Sequence, residues 1–178
     1  MPPPSFFIVT GGPGAGKTTL VEALSTAGLA TAPEGGRAII RQELASGGDA
    51  LPWRDPAAFA ARMMAHDRAQ YRAARRRGRP CIFDRGIPDT IGYLRLTGLA
   101  VPAAMDRAAR HLRYQPTVFV APPWPAIYTT DAERRPTPQE AERTWAALCR
   151  TYVDHGYNLA PLPLAPVAER VAFVLARI

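Results

Sequence analysis

An α/β fold, a five-stranded parallel sheet with helices on both faces, is predicted by three features of this sequence. Short apolar runs alternate with longer stretches of helical periodicity, the arrangement that yields parallel strands joined by crossover helices. Two of those runs, Phe6-Phe7-Ile8-Val9-Thr10 and Val118-Phe119-Val120, are apolar without alternation, as strands covered on both faces are. The first run ends abruptly in glycines, Gly11 to Gly16, which open straight into a helix-forming stretch. At 178 residues the chain suits one domain, 1–178, able to bury a core without disulfides or structural metal.

The elements follow in order. Strand one is 6–10, and the helix 18–26 carries an apolar stripe of Leu20, Val21 and Leu24 before stopping near Gly28. A second strand at 29–33 precedes a helix at 36–46 closed by Gly47-Gly48, then a turn-rich loop at 49–56. A long helix spans 56–77, with Asp55 as N-cap and Pro56 in its first turn. Its sheet-facing residues are expected to be Phe59, Met63, Gln70 and Ala74, with Met64 and Tyr71 beside them. Strand three, 80–84, ends in an acid and leads to helices at 88–96 and 102–112. Strand four, 116–121, stops at Pro122-Pro123; a polar segment at 128–138, a helix at 139–153, a last strand at 157–162 and a helix at 167–176 complete the chain. Strand one is expected at the centre of the sheet.

Composition narrows the function. The net charge of +7 and pI near 10.1 attract polyanions, a class that includes phosphorylated small molecules as well as nucleic acid. The densest basic run, Arg75 to Arg79, falls at a helix end, where cations complement the dipole, and this favours a solvated helix terminus over a nucleic-acid patch. No apolar run approaches the ~20 residues that span a bilayer, and the start lacks a basic signal region, so a soluble cytoplasmic protein without a membrane partner is expected. Cys81 and Cys149 read as ordinary buried thiols, and His66, His111 and His155 as incidental surface or helix residues, since none has a partner at ligand or triad spacing. Of the 22 basic residues only Lys17 is a lysine. A chain that uses arginine wherever a generic cation serves has kept its one ammonium inside the glycine loop, where a planar guanidinium does not fit.

That loop is Gly11-Gly12-Pro13-Gly14-Ala15-Gly16-Lys17-Thr18, which satisfies G-x-x-x-x-G-K-[ST] between a strand and a helix and predicts a P-loop NTPase fold of the kinase type. Its glycines let backbone N–H groups turn inward around the phosphates of ATP. Lys17 reaches the outer phosphates, the Thr18 hydroxyl serves Mg²⁺, and the helix N-terminus, with Thr19 in its first turn, adds its positive dipole end. Asp84, at the end of strand three, stands where a Mg²⁺-associated acid belongs in an α/β sheet; the same carboxylate would otherwise cap the next helix or pair with Arg85. Glu34, just after strand two, is placed either as a general base for an acceptor hydroxyl or as a dipole partner of the following helix. The segment 127–138, containing Asp131, Glu133, Arg134 and Arg135, has the position of a lid over the phosphates, with surface ion pairing as its plainer role.

With the P-loop, Pro33-Glu34-x-x-Arg37, Phe83-Asp84-Arg85-Gly86 and Glu133-Arg134-Arg135 in view, the chain resembles small bacterial P-loop proteins described as AAA-domain ATPases. It is similar to the nicotinamide riboside kinase domain of bifunctional NAD-synthesis regulators, and more distantly to deoxyribonucleoside kinases. The resemblance covers most of the chain and implies Glu34 as base, Asp84 as metal-associated acid, Arg85 as acceptor or phosphate ligand, and Arg134 or Arg135 as a lid arginine. Gly35-Gly36 stands where the riboside kinases carry bulkier residues.

The leading expectation is transfer of the γ-phosphoryl group of ATP to a hydroxyl of a small nucleoside-like or metabolite acceptor, held between Glu34, the 53–71 region and Arg85. A nucleic-acid-linked enzyme such as a polynucleotide kinase, and a regulatory ATPase acting on a protein partner, are the alternatives.

Overall fold

The computed structural model describes residues 5–127 and 137–178. A parallel sheet runs in the order β2-β3-β1-β4-β5, formed by β1 (Phe6–Gly11), β2 (Ala30–Ala32), β3 (Cys81–Asp84), β4 (Thr117–Ala121) and β5 (Asn158–Pro161). β1 is central, as expected, with Ile8 in register with Phe83 on one side and Val118 on the other. Every residue of β1 is buried, which explains why it reads as continuously apolar rather than alternating.

Alternate strand residues serve two cores. Phe6, Ile8, Phe83, Val118 and Val120 face one side, where α3 (Pro56–Arg77), α4 (Ile87–Leu96), α5 (Ala103–His111) and α6 (Pro138–Asp154) lie. Phe7, Val9, Ile82, Phe119 and Ala121 face the other, against Leu20, Val21 and Leu24 of α1 (Lys17–Thr26) and Val174 of α7 (Val167–Leu175). α2 (Gly36–Ser46) packs against α3 and buries Ile39.

Local chemistry fixes the ends of α3. The Asp55 carboxylate accepts from Ala58 N–H at 2.8 Å, Pro56 occupies the first turn, Arg75, Arg76 and Arg77 fill the last, and Gly78 closes the helix in a left-handed conformation at φ 66°. The face differs from the expectation: Met64 and Tyr71 are buried, whereas Met63 and Gln70 are only partly covered. A sheet contacts a straight helix along one stripe, and that stripe is centred about one residue further along. Tyr71 stacks edge-on with Phe6 and Tyr114 and donates its hydroxyl proton to Arg113 O at 2.8 Å. It therefore belongs to the core.

Strands two and five are each shorter than the sequence suggested, because they lie at the sheet edges where pairing stops sooner. α4 begins at Ile87, not Pro88. His155 is not a surface residue: its buried ring contacts Thr151 O through Nδ1 at 2.7 Å and Asp106 through Nε2 at 3.1 Å. Both thiols sit at an elevated pKa of about 11, chiefly through burial. No helix among the described residues is long and apolar enough to cross a membrane.

Candidate active site at the strand ends

The glycine loop leaves β1 at Gly11 and enters α1 at Lys17. Gly14 and Gly16 take left-handed angles, φ 71° and 72°, which a side chain would strain. Gly16 is the N-cap of α1, and no side chain caps that helix. The amides of Lys17, Thr18 and Thr19 thus head a helix whose positive end is open to an anion. Lys17 bends back into the loop and donates to Gly12 O at 2.6 Å. Burial lowers its pKa to about 8, nearby Arg85 adds to the effect, and Asp84, Glu34 and Asp89 oppose it.

Of these, Arg85, Asp84 and Glu34 are ones expected at the site, and the fold brings them together with Lys17. Asp84 is buried at the end of β3, and its Oδ1 has no hydrogen-bond partner. Burial raises its pKa, while Lys17 and Arg85 pull it down. An orphaned carboxylate oxygen beside a lysine and an open helix end fits a site that receives a hydrated divalent cation together with phosphate. Among the described residues no group of three or more His, Cys, Asp or Glu gathers to hold a metal by protein ligands.

Arg85 has a left-handed backbone, φ 71°, unusual for a residue with a side chain, and its N–H donates to Val9 O at 2.9 Å. This turn carries the guanidinium across the crevice to Glu34, at 3.4 Å, and Asp89, at 3.2 Å. Burial opposes its charge, but Glu34, Asp89 and Asp84 outweigh that cost and raise its pKa. The ion pair turns the Glu34 carboxylate toward the crevice. Gly35 is shaped by His66, whose Cδ2 lies 2.5 Å from where a Cβ would stand. A bulkier residue at that position would displace the imidazole.

Three contributors were not legible as site residues. Asp89, in the first turn of α4, accepts from Gly86 N–H at 2.8 Å, from Arg85, and from the hydroxyls of Thr10 and Tyr152. The spacing Gly86-x-x-Asp89 is a capping signal that places an acid at the helix start, but its bond to β1 is tertiary. Asp67 on α3 accepts from the Thr90 hydroxyl at 3.1 Å, and its pKa is raised to about 7, first by burial and then by Asp89. Thr90 had no sequence signal. Trp53 is largely exposed, at 60%. Arg134 and Arg135, with most of the expected lid, lie outside the described residues; at its ends Ile127 closes a 3-10 turn and Thr137 caps α6.

The architecture has solved relatives. It is similar to thymidylate kinase from Ehrlichia chaffeensis, with TM-score 0.62, 15% identity, and coverage of 97% of this chain and 98% of that one. It is similar to the NadR protein in complex with NR, with TM-score 0.65 and 20% identity over 97% of this chain and 50% of that one. Shikimate kinase from Acinetobacter baumannii in complex with shikimate gives TM-score 0.57 and 14% identity over 98% and 92%. At these identities the likeness is one of fold, that of the P-loop kinases. No curated protein sequence matches significantly. A family model described as "AAA domain" matches residues 6–170, from the first strand into the last helix, and the chain belongs to that family.

Proposed function

We propose that this chain is an ATP- and Mg²⁺-dependent phosphotransferase that moves the γ-phosphoryl group to a hydroxyl of a small nucleoside-like or metabolite acceptor. The observation that carries the reading is the convergence of Glu34, Asp84 and Arg85 on Lys17, so that an acid, a base and a fixed cation stand together beside the phosphate loop. A hydrolase needs the loop; the paired Glu34 and Arg85 across the crevice suit a second substrate. The fold relatives support a phosphotransferase in general, since one is a thymidylate kinase and another a shikimate kinase in complex with shikimate.

In this reading residues 11–19 cradle the phosphates, and Lys17 follows charge onto the γ-phosphoryl oxygens. Thr18 and the orphaned Asp84 oxygen would hold Mg²⁺ directly or through its waters, and the ion would supply charge neutralisation to the phosphates. Glu34, paired with Arg85, accepts the proton of the acceptor hydroxyl. The acceptor oxygen then forms its bond to the γ phosphorus as the bond from phosphorus to the β-bridging oxygen breaks, and ADP leaves with that electron pair. Arg85 orients Glu34 and the acceptor.

A panel of nucleosides, sugars and small hydroxylated metabolites, scored for acceptor-dependent ADP formation, tests the proposal with Lys17→Ala as the blank. Stimulation by at least one acceptor, absent from the blank and abolished by chelator, is the expected result. ADP formation at one rate with every acceptor and with none contradicts it.

A further inference from the structure

One element that borders the nucleotide cradle comes from far along the chain, on α7. Arg170, on α7, is 4% exposed and directs its guanidinium at the outside of the loop. Nη2 donates to Ala15 O at 3.1 Å and Nη1 to Gly16 O at 3.5 Å. A Cβ at Gly16 would stand 2.7 Å from Nη1, so the absence of a side chain there admits the arginine as well as the backbone angle. The guanidinium also faces the Trp124 ring, 5.8 Å from its centroid.

Arg170 carries a charge with few local partners. Among the described residues no carboxylate pairs with it, and its buried Nε has no hydrogen-bond partner. Burial alone lowers its pKa. A buried charge without a counter-charge is costly, and an anion arriving at the adjacent loop offsets that cost. Geometry adds a second effect. In a trans peptide the C=O and the following N–H point in opposite directions. Holding the carbonyls of Ala15 and Gly16 toward Arg170 therefore aims the N–H groups of Gly16 and Lys17 away from it, into the loop.

We infer that Arg170 is a positioning residue for the nucleotide: it fixes the two peptides that present Gly16 and Lys17 N–H to the phosphates and supplies the loop with a second buried cation. The inference rests on the P-loop binding nucleotide. It makes α7 part of the nucleotide site and couples phosphate binding to the order of the C-terminal helix.

Calorimetric titration of wild type, Arg170→Met and Arg170→Lys with a non-hydrolysable triphosphate, ADP and adenosine tests this, with hydrogen exchange followed on α7. Arg170→Met is expected to weaken the triphosphate about tenfold, the scale of lost charge-assisted hydrogen bonds, ADP by less, and adenosine not at all. Arg170→Lys, which keeps the charge but cannot span both carbonyls, falls between. Nucleotide slows exchange in α7 of the wild type and not of Arg170→Met. A folded Arg170→Met with wild-type triphosphate affinity, or a loss equal for adenosine and triphosphate, overturns the role and leaves the P-loop reading standing. If Arg170→Met does not fold, Arg170→Lys decides alone: unchanged triphosphate affinity overturns the role. A wild type that binds no nucleotide overturns both.

Discussion

Glu34 and Asp67 are both acids near Arg85, but their surroundings differ. Glu34 is paired with the guanidinium at 3.4 Å. Its removal as Glu34→Gln is expected to cut acceptor phosphorylation by about 10²- to 10⁴-fold, the contribution of a positioned general base, with nucleotide affinity nearly unchanged. Transfer at the wild-type rate would assign Glu34 to the helix dipole instead. Asp67 is partly buried, faces Asp89 and Glu34 as well as Arg85, and has its pKa raised from 3.8 to about 7. Between those two values the folded state holds a proton that the unfolded state has released, so this group makes stability fall as pH rises. Asp67→Asn should remove that dependence and be more resistant to unfolding than wild type above about pH 7, as read from denaturation midpoints across the range. Superimposable pH profiles would refute it. Neither Asp67 nor Asp89 was visible in the sequence, because their partners Thr90, Thr10 and Tyr152 come from elements distant in the chain. Lys17, by contrast, was legible twice over, from its motif and from being the sole lysine.

Elements whose ends are set by local chemistry were read most closely. The long helix α3 ran from Pro56 to Arg77 as expected, since Asp55, Pro56 and Gly78 specify both termini without help from the rest of the fold. Asp55→Ala is expected to cost about 1 kcal/mol in urea unfolding, the usual worth of an N-cap, and an unchanged midpoint would show that the terminus is held by packing instead. What local chemistry left open was rotation: Met63 and Met64 are adjacent and equally apolar, and only the sheet decides which is buried. The edge strands were overestimated for the same reason, since pairing length depends on the neighbour. The Gly16 entry to α1 was legible as a turn but not as the seat of Arg170, whose contact spans most of the chain.

At the scale of the whole molecule, the arginine surplus raises the matter of nucleic acid. Arg85 and Arg170 are enclosed at the strand ends, Arg75 to Arg77 complement a helix terminus, and Arg54, Arg62, Arg95 and Arg110 pair with acids. With so much of the charge committed locally, transfer should depend only weakly on ionic strength, whereas an enzyme gripping a polynucleotide backbone loses affinity steeply with salt. A steep fall in turnover with added salt would favour the polynucleotide reading. The central claim is transfer to a second substrate, and the most direct measurement follows the fate of the phosphoryl group itself. ATP isotopically labelled in its γ-phosphoryl oxygens is turned over with the responding acceptor, and the products are weighed by mass spectrometry. The account predicts the full label in a phosphorylated acceptor, formed one for one with ADP by the wild type and lost in Lys17→Ala; label recovered only in inorganic phosphate, with the acceptor unchanged, would contradict it.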